Sequence, residues 1–249
     1  MVLQRFTRSL KWVIFPTIGL GHYFALLGAL AILFLIAPLF ADVQILSVRV
    51  SDLLSMSLLI VGVWAVNHSR LAVFVLGALA LCAISAQITN FYTKTDLAGV
   101  VANSAAGLFL IVLFVVIVVD LFRTSAVTGS TLAAACCGYV LIAGIFAAVF
   151  SIMIAFDPDA ISLWEGSDVD VSDLVFQEGR FGVLGYYSMV TLTTLGYGDI
   201  VPNSDYARAA AALEAVIGQL YLAVIVARLV GMYIAGRASK GKVKALKFD

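Results

Sequence analysis

The chain has 249 residues, of which 63% are apolar and 12% are charged. Soluble domains contain roughly 45–50% apolar and 25% charged residues, and folded chains of this length still expose much of the surface of the unfolded state. The composition therefore excludes an ordinary water-soluble enzyme and predicts an all-α membrane protein. The 15 basic residues balance the 15 acidic residues, so no global positive field is available to bind nucleic acid.

Apolar runs separated by charges predict where the chain crosses the membrane, since a transmembrane helix needs about 20 apolar residues. Six runs qualify: 17–40, 51–67, 71–91, 98–119, 131–156 and 209–234. The second run has a short apolar core. A further apolar stretch at 181–195 is too short to cross. We therefore expect six transmembrane helices and one short helix that enters the membrane without spanning it.

The first run could instead belong to a cleaved signal peptide at 1–40, since Arg5, Arg8 and Lys11 precede it. Signal peptides usually have an apolar region of roughly 7–15 residues, and the run here is longer. We therefore expect this run to be kept as the first transmembrane helix. Cleavage would leave five spans in the same orientation.

The distribution of Lys and Arg predicts the orientation, because cytoplasmic loops carry an excess of both. With a cytoplasmic N-terminus, one side has Arg5, Arg8, Lys11, Arg70, Arg123, Arg237, Lys240, Lys242, Lys244 and Lys247. The other side has Arg49, Lys94, Arg180 and Arg208. This asymmetry places both termini in the cytoplasm, where their basic residues can contact anionic lipid. Arg228 lies near the inner end of the last span, where its side chain can extend toward the interface.

A glycine-rich motif lies between the fifth and sixth runs. It reads YYSMVTLTTLGYGDIVPNS over residues 186–204, with TTLGYGD at 193–199. This motif resembles the selectivity-filter signature of tetrameric potassium channels. The resemblance extends over about 131–235, as a helix, a re-entrant loop and a second helix. The first four runs resemble the six-helix members of that family only in number and placement.

Physical chemistry explains why a potassium filter needs such residues. Rings of backbone carbonyl oxygens from four chains replace the hydration shell of the ion. Pointing successive carbonyls toward one axis requires an alternating backbone twist, and glycine adopts positive φ cheaply. Gly196 and Gly198 are therefore expected to have positive φ. Irregular backbone at membrane depth is tolerated where protein buries it or where it lines a water-filled path.

The resemblance implies a role for each residue of the motif. The implied K+-binding residues are Thr194, Leu195, Gly196, Tyr197 and Gly198. Thr194 would offer its carbonyl and hydroxyl to the innermost site, and the next three residues would offer carbonyls. A pore helix at about 182–194 would direct the negative end of its dipole toward the ion.

Four neighbouring residues are expected to support the filter. Thr193 and Asp199 flank it. Tyr186 and Tyr187 stand where many family members carry a tryptophan pair, and the resemblance makes them the expected hydroxyl partners of Tyr197.

Two positions depart from the family pattern. Leu195 replaces the more usual valine, and its unbranched Cβ packs less stiffly. Val190 stands where some relatives have a carboxylate that buttresses the filter, so inactivation at the filter cannot be inferred from the family.

The last run contains the candidate gating residues. Gly218 lies in its middle, where glycine serves either as a hinge or as a close-packing site, and the resemblance favours the hinge. Four-residue steps beyond it define a stripe that could form a hydrophobic gate: Leu222, Val226, Val230 and Ile234. Glu214 is the acid within this run and a functional candidate for that reason. It is expected to accept hydrogen bonds from the pore helix, with an ion ligand as the alternative.

Together these features predict a homotetrameric membrane channel that conducts K+ passively, with no catalytic activity and no cofactor other than the permeant ion. The predicted divisions are a cytoplasmic segment 1–16, a four-helix domain 17–123 without voltage-sensor arginines, a pore domain 131–235 and a basic cytoplasmic tail 236–249. The expected location is a cell membrane of bacterial inner-membrane type. The alternatives are a non-selective cation channel, disfavoured by Tyr197, and a transporter, which would need a repeated half that is absent here.

Overall fold

A computed structural model provides the three-dimensional structure. It describes residues 22–36, 44–45, 48–66, 70–93, 96–124, 127–163 and 181–245. The predicted cytoplasmic segment 1–16 lies outside the described residues, and so do the last residues of the predicted tail, 246–249.

The described residues are mainly helical. The helices are α1 (His22–Ala31), continued by a π-helical turn at Ile32–Ile36, α2 (Val50–Ala65), α3 (Arg70–Thr93), α4 (Asp96–Arg123), α5 (Gly129–Phe156), α6 (Phe181–Leu192) and α7 (Asp205–Ala245). A short 3₁₀ turn at Pro158–Ala160 follows α5.

Two short antiparallel strand pairs accompany the helices, and the sequence analysis predicted neither. The first pairs β1 (Gln44–Ile45) with β2 (Val48–Arg49). The second pairs β3 (Ile161–Leu163) with β4 (Ile200–Pro202). Strands of two or three residues are too short for the hydropathy pattern to reveal them.

Four helices of the described chain are long and apolar enough to cross a membrane. They are α3, α4 from Leu97, α5, and α7 as far as Ala235. The third to sixth predicted runs therefore form helices of spanning length. The first two runs contain shorter apolar helices, at His22–Phe34 and Leu53–Ala65. Parts of both runs, including 17–21 and 37–40, lie outside the described residues. The 12-residue α6 is too short to span, as predicted for this stretch.

The last helix continues past the predicted domain boundary at residue 235, and ends at Ala245. Alanine, lysine and arginine favour helix, and they make up much of the sequence GRASKGKVKA at 236–245. The first part of the predicted tail is therefore a continuation of α7 rather than a separate segment.

The central helix of the bundle is α5, which packs against α1, α4, α6 and α7. Small residues allow these helices to approach closely. A Cβ added to Gly107 of α4 would lie 2.8 Å from the Cβ of Ala148 in α5. A Cβ added to Gly144 of α5 would lie 2.9 Å from a methyl group of Leu110 in α4. The α4–α5 contact therefore depends on glycine on both sides.

Hydrogen bonds between side chains join helices inside the bundle. Asn103 of α4 donates to Ser151 Oγ of α5 at 2.6 Å, and the Tyr23 hydroxyl of α1 donates to Asp120 of α4 at 2.8 Å. Model studies place such interhelical bonds at about 1–2 kcal/mol in a membrane. They fix the helices around α5, which in turn supports α6 and α7.

Candidate functional site

The glycine-rich loop begins where α6 ends, and the end of α6 has the geometry of a Schellman motif. The amide of Thr194 donates to the carbonyl of Thr191 at 2.9 Å, and the amide of Leu195 donates to the carbonyl of Val190 at 2.9 Å. This pattern places one residue in the left-handed region just past the helix. That residue is Thr194, with a φ of 60°.

The Val190 carbonyl ties the loop to the helix. It accepts the amides of Leu195 at 2.9 Å and Gly196 at 3.4 Å. The hydroxyl of Thr193 also approaches it, at 3.3 Å. One carbonyl on α6 therefore holds the first half of the loop, so that any displacement of α6 also displaces the loop.

Positive φ recurs at every second residue of the loop. The values are 60° at Thr194, 59° at Gly196 and 80° at Gly198. The two glycines have the positive φ expected of them. Thr194 was not predicted, because left-handed backbone is strained for a β-branched residue; the cap of α6 imposes it. An alternating backbone of this kind can turn successive carbonyl groups toward the same side.

The loop is open to solvent in the single chain. The side chain of Leu195 is 54% exposed and that of Tyr197 is 67% exposed. Added Cβ atoms on Gly196 and Gly198 would meet no atom within 4 Å. Nothing in the described part of this chain covers the loop.

Asp199 closes the C-terminal end of the loop. Its carboxylate accepts a hydrogen bond from the Tyr186 hydroxyl at 2.7 Å and another from the Ile200 amide at 3.1 Å. The bond from Tyr186 raises the pKa of that hydroxyl to about 12. Tyr186 therefore remains a protonated donor at neutral pH, and it joins the middle of α6 to the end of the loop.

Tyr187 occupies a different environment from Tyr186. It is buried and packs edge-to-face on Phe150 of α5, with ring centroids 4.9 Å apart. Among the described residues its hydroxyl has no hydrogen-bond partner. The structure therefore joins Tyr186 to Asp199, whereas no bond between either tyrosine and the Tyr197 hydroxyl is present within the described part of one chain. The role inferred for Tyr187 as a partner of Tyr197 stays a prediction.

The segment after the loop is fixed to the residues that follow the C-terminal end of α5. Strand β4 pairs with β3, and the Asn203 amide donates to the Ala160 carbonyl at 2.8 Å. The Tyr206 hydroxyl, at the start of α7, donates to Asp157 at 2.5 Å. The loop is therefore held at both ends, by α6 before it and by the β3–β4 pair after it.

Gly218 permits α7 to lie directly on the end of α6. A Cβ at this position would lie 2.7 Å from both the carbonyl oxygen and a methyl group of Leu192. The Tyr139 hydroxyl of α5 donates to the same Leu192 carbonyl at 3.2 Å. The structure thus gives Gly218 a packing role, while the inferred hinge stays a prediction.

The predicted gate residues lie on an exposed face of α7. Leu222, Val226, Val230 and Ile234 are all exposed in the single chain. Exposure of this kind suits either a pore-lining stripe or a surface facing lipid, so the gate stays a prediction. Glu214, by contrast, is completely buried, and its Oε1 is in hydrogen-bond contact with the Ser188 hydroxyl of α6.

The region around the loop is similar to a known protein family. Residues 138–235 match a family model described as Ion channel. The matched region contains most of α5, all of α6, the loop and α7 as far as Ala235, and this region is therefore similar to ion channels. The helices long enough to cross a membrane agree with that similarity. No curated protein and no solved structure matches the chain.

The structure contains contacts that the sequence analysis missed. Ser188, Tyr139 and the carbonyl partners of Arg228 were not identified as site residues. The polar residue Ser188 in the middle of a short apolar helix was the available signal, because buried hydroxyls in membranes usually have a partner. The partners themselves depend on the packing of α6 and α7.

Proposed function

We propose that this chain is one subunit of a homotetrameric channel that conducts K+ passively and selectively. The observation that carries the proposal is the alternating positive φ at Thr194, Gly196 and Gly198, at the end of a helix too short to span. Such a backbone can present consecutive carbonyl oxygens to one axis, where they replace the hydration shell of K+. The Thr194 hydroxyl and the carbonyls of residues 194–197 are the proposed ion ligands.

The tetramer follows from the number of loops. One chain supplies one loop, and a closed ring of carbonyls around an ion needs four. The exposed loop and the exposed apolar side chains of α7, such as Val216 and Leu220, are consistent with coverage by neighbouring subunits. Permeant K+ is the transported ion, and the proposed partners are three further copies of the chain and membrane lipid.

The proposed topology has six spans, with α1 and α2 crossing the membrane in addition to the four longer helices. Both termini are then cytoplasmic, as the excess of Lys and Arg on that side favours. The proposed location is a cell membrane of bacterial inner-membrane type. The channel would be gated by something other than voltage sensed by its own helices.

The deciding experiment measures the reversal potential of the purified full-length chain in lipid bilayers with opposed K+ and Na+ gradients. A potassium-selective channel gives a reversal potential that follows the K+ gradient. A value that stays near zero in such gradients would identify a non-selective cation channel instead. Flux that requires a second, coupled solute would identify a transporter.

Glycine variants connect selectivity to the loop. Gly196→Ala and Gly198→Ala each place a Cβ on left-handed backbone, which costs roughly 1–2 kcal/mol, without a steric clash inside the chain. Both should lose K+ selectivity and still assemble. The matched control is Gly182→Ala in α6, where the added Cβ also meets open space and φ is not positive. Preserved selectivity in Gly196→Ala would contradict the filter assignment.

A further inference from the structure

A buried carboxyl group connects three helices behind the loop. Glu214 of α7 is 0% exposed, and its Oε1 is in hydrogen-bond contact with Ser188 Oγ of α6. Ser188 Oγ also lies 2.7 Å from the carbonyl oxygen of Ala143 in α5. The three residues form a continuous polar chain across α7, α6 and α5, inside an otherwise apolar region.

The number of protons determines the direction of these bonds. A serine hydroxyl has one proton, and a backbone carbonyl can only accept. When Ser188 donates to Ala143, the contact with Glu214 becomes a hydrogen bond only if the carboxyl group is neutral and donates to Ser188 Oγ. No basic residue pairs with Glu214 among the described residues, and an unpaired carboxylate buried in this way is costly. A neutral Glu214 satisfies both contacts.

A second contact lies one helical turn farther along the same two helices. Gly218 follows Glu214 by four residues and packs on Leu192, which follows Ser188 by four residues. The two helices therefore meet at two successive levels, a polar level at Glu214 and Ser188 and a close-packed level at Gly218 and Leu192. We call these two levels the α6–α7 seam.

The two seam residues of α6 flank the residue that holds the loop. Val190 lies between Ser188 and Leu192, and its carbonyl accepts the amides of Leu195 and Gly196. Its own side chain is apolar and cannot hydrogen-bond to the loop. Polar contacts to this part of α6 therefore come from neighbouring helices: from Glu214 on α7, and from Ala143 and Tyr139 on α5.

We propose that Glu214 is a positioning residue for the filter, which acts by donating a hydrogen bond to Ser188 and so fixes the Val190 carbonyl that holds the first filter amides. This inference rests on the proposed function in treating the loop as a filter. Its structural part, that Glu214 holds the loop in place, can be measured without any current.

Three variants separate the hydrogen bond from the charge and from general packing. Glu214→Gln removes the ionisable group but keeps an N–H donor for Ser188. Glu214→Leu removes the donor at similar size, and Ser188→Ala removes the acceptor. The matched control is Ser151→Ala, which removes another interhelical bond, the one that Asn103 of α4 donates to Ser151 of α5.

The first readout is hydrogen–deuterium exchange of a peptide that covers residues 193–199 in the reconstituted full-length protein. Losing the Glu214–Ser188 bond should increase exchange of the loop amides about tenfold in Glu214→Leu, which corresponds to about 1.4 kcal/mol. Ser188→Ala, which also loses the bond to the Ala143 carbonyl, should increase exchange by at least as much. Glu214→Gln should exchange at the wild-type rate. The double variant Glu214→Leu with Ser188→Ala should exchange no faster than Ser188→Ala alone, because the bond that Glu214→Leu removes is already absent there.

The second readout is the K+ to Na+ permeability ratio and the duration of current in bilayers. Glu214→Leu and Ser188→Ala should lower both, Glu214→Gln should restore them, and Ser151→Ala should change neither. If Glu214→Leu does not assemble, Ser188→Ala provides the same comparison.

Three results would overturn the proposal. The first is wild-type loop exchange in both Glu214→Leu and Ser188→Ala. The second is an equal increase of loop exchange in Glu214→Gln and Glu214→Leu. The third is an increase of loop exchange in Ser151→Ala as large as that in Glu214→Leu. A wild-type protein that conducts no K+, or conducts it without selectivity, would contradict the proposed function alone. In that case the exchange rates of the four variants still decide whether Glu214 positions the loop.

Discussion

Gly218 in the middle of α7 lies against the last residue of α6, Leu192, at a distance that leaves no room for a methyl group. The Leu192 atoms nearest to an added Cβ are a side-chain carbon and the backbone oxygen, both at 2.7 Å. A backbone atom at the end of a fixed helix cannot move aside cheaply. The absence of a side chain at Gly218 is therefore a condition for the contact between α6 and α7.

We expect Gly218→Ala to destabilise the protein, because overpacking a well-packed contact typically costs about 1–3 kcal/mol. The measurement is thermal unfolding of the purified protein in detergent. Gly231→Ala is the matched control on the same helix, since its added Cβ meets open space, and it should not lower stability. Unchanged or higher stability of Gly218→Ala, together with altered gating, would favour the hinge over the packing role.

Arg228 joins the C-terminal half of α7 to the C-terminal end of α4. Its Nη2 lies 2.7 Å from the Phe122 carbonyl and 3.1 Å from the carbonyls of Leu121 and Thr124. The guanidinium carbon also lies 4.6 Å from the centroid of the Phe122 ring. The last carbonyls of a helix lack intrahelical partners and carry partial negative charge. The arginine therefore caps α4 from a helix more than 100 residues later in the chain.

We expect Arg228→Gln to lower stability by about 1–2 kcal/mol, the range of an interhelical hydrogen bond in a membrane. Its distance from the loop in sequence and its position past the middle of α7 predict an unchanged K+ to Na+ permeability ratio. Thermal unfolding and reversal potentials of the same preparation test both parts. Arg70→Gln, at the exposed start of α3, should affect neither. A changed permeability ratio in Arg228→Gln would show that the α4–α7 contact extends its influence to the filter.

The bond between Tyr186 and Asp199 gives a prediction about pH. Tyrosine titrates near 10 in an unfolded chain, whereas this bond raises the pKa of Tyr186 to about 12 in the folded chain. Folding therefore favours the protonated hydroxyl. The resulting stabilisation is fully present below about pH 10 and is lost as the pH rises toward about 12.

Tyrosinate absorbance measured during a pH titration tests this prediction. The difference between wild type and Tyr186→Phe should show one tyrosine that ionises near pH 12 rather than near 10. The variant should also lose K+ current faster, since Asp199 keeps only its bond from the Ile200 amide. A difference titration centred near pH 10 would mean that the hydroxyl does not bond to Asp199 in the assembled protein.

The sequence predicted the features of this protein that depend on local chemistry. Runs of apolar residues ended by charges predict helices of spanning length, and the motif predicts positive φ at Gly196 and Gly198. The left-handed Thr194 was not predictable from residue preference, because threonine disfavours that region. It becomes understandable only once α6 is known to end in a Schellman motif.

Contacts between distant residues could not be predicted in the same way. Glu214 and Ser188 are 26 residues apart, and Arg228 is 106 residues from Phe122. Apolar runs in a membrane protein carry little information about which face meets which neighbour, because lipid and protein interiors are equally apolar. The seam behind the loop and the cap on α4 therefore required the packing of the helices.

The final prediction concerns voltage, which should have little direct effect on opening. Moving one elementary charge across the membrane provides about 2.3 kcal/mol per 100 mV, and steep gating needs three or four charges per subunit. Arg70 is the first residue of α3, Arg123 is the last residue of α4, and no lysine or arginine lies within either helix between its ends. Near the C-terminal end of α4, Asp120 accepts a hydrogen bond from Tyr23 of α1 at 2.8 Å, which fixes it to a neighbouring helix. The membrane field thus has almost no charge to move in these helices.

Current through the purified protein in symmetric K+, without blocking ions, should follow the driving force, with an open probability that changes only weakly from negative to positive potentials. A steep sigmoidal relation between conductance and voltage, equivalent to several charges per subunit, would contradict this prediction and show that the charge moves elsewhere in the chain.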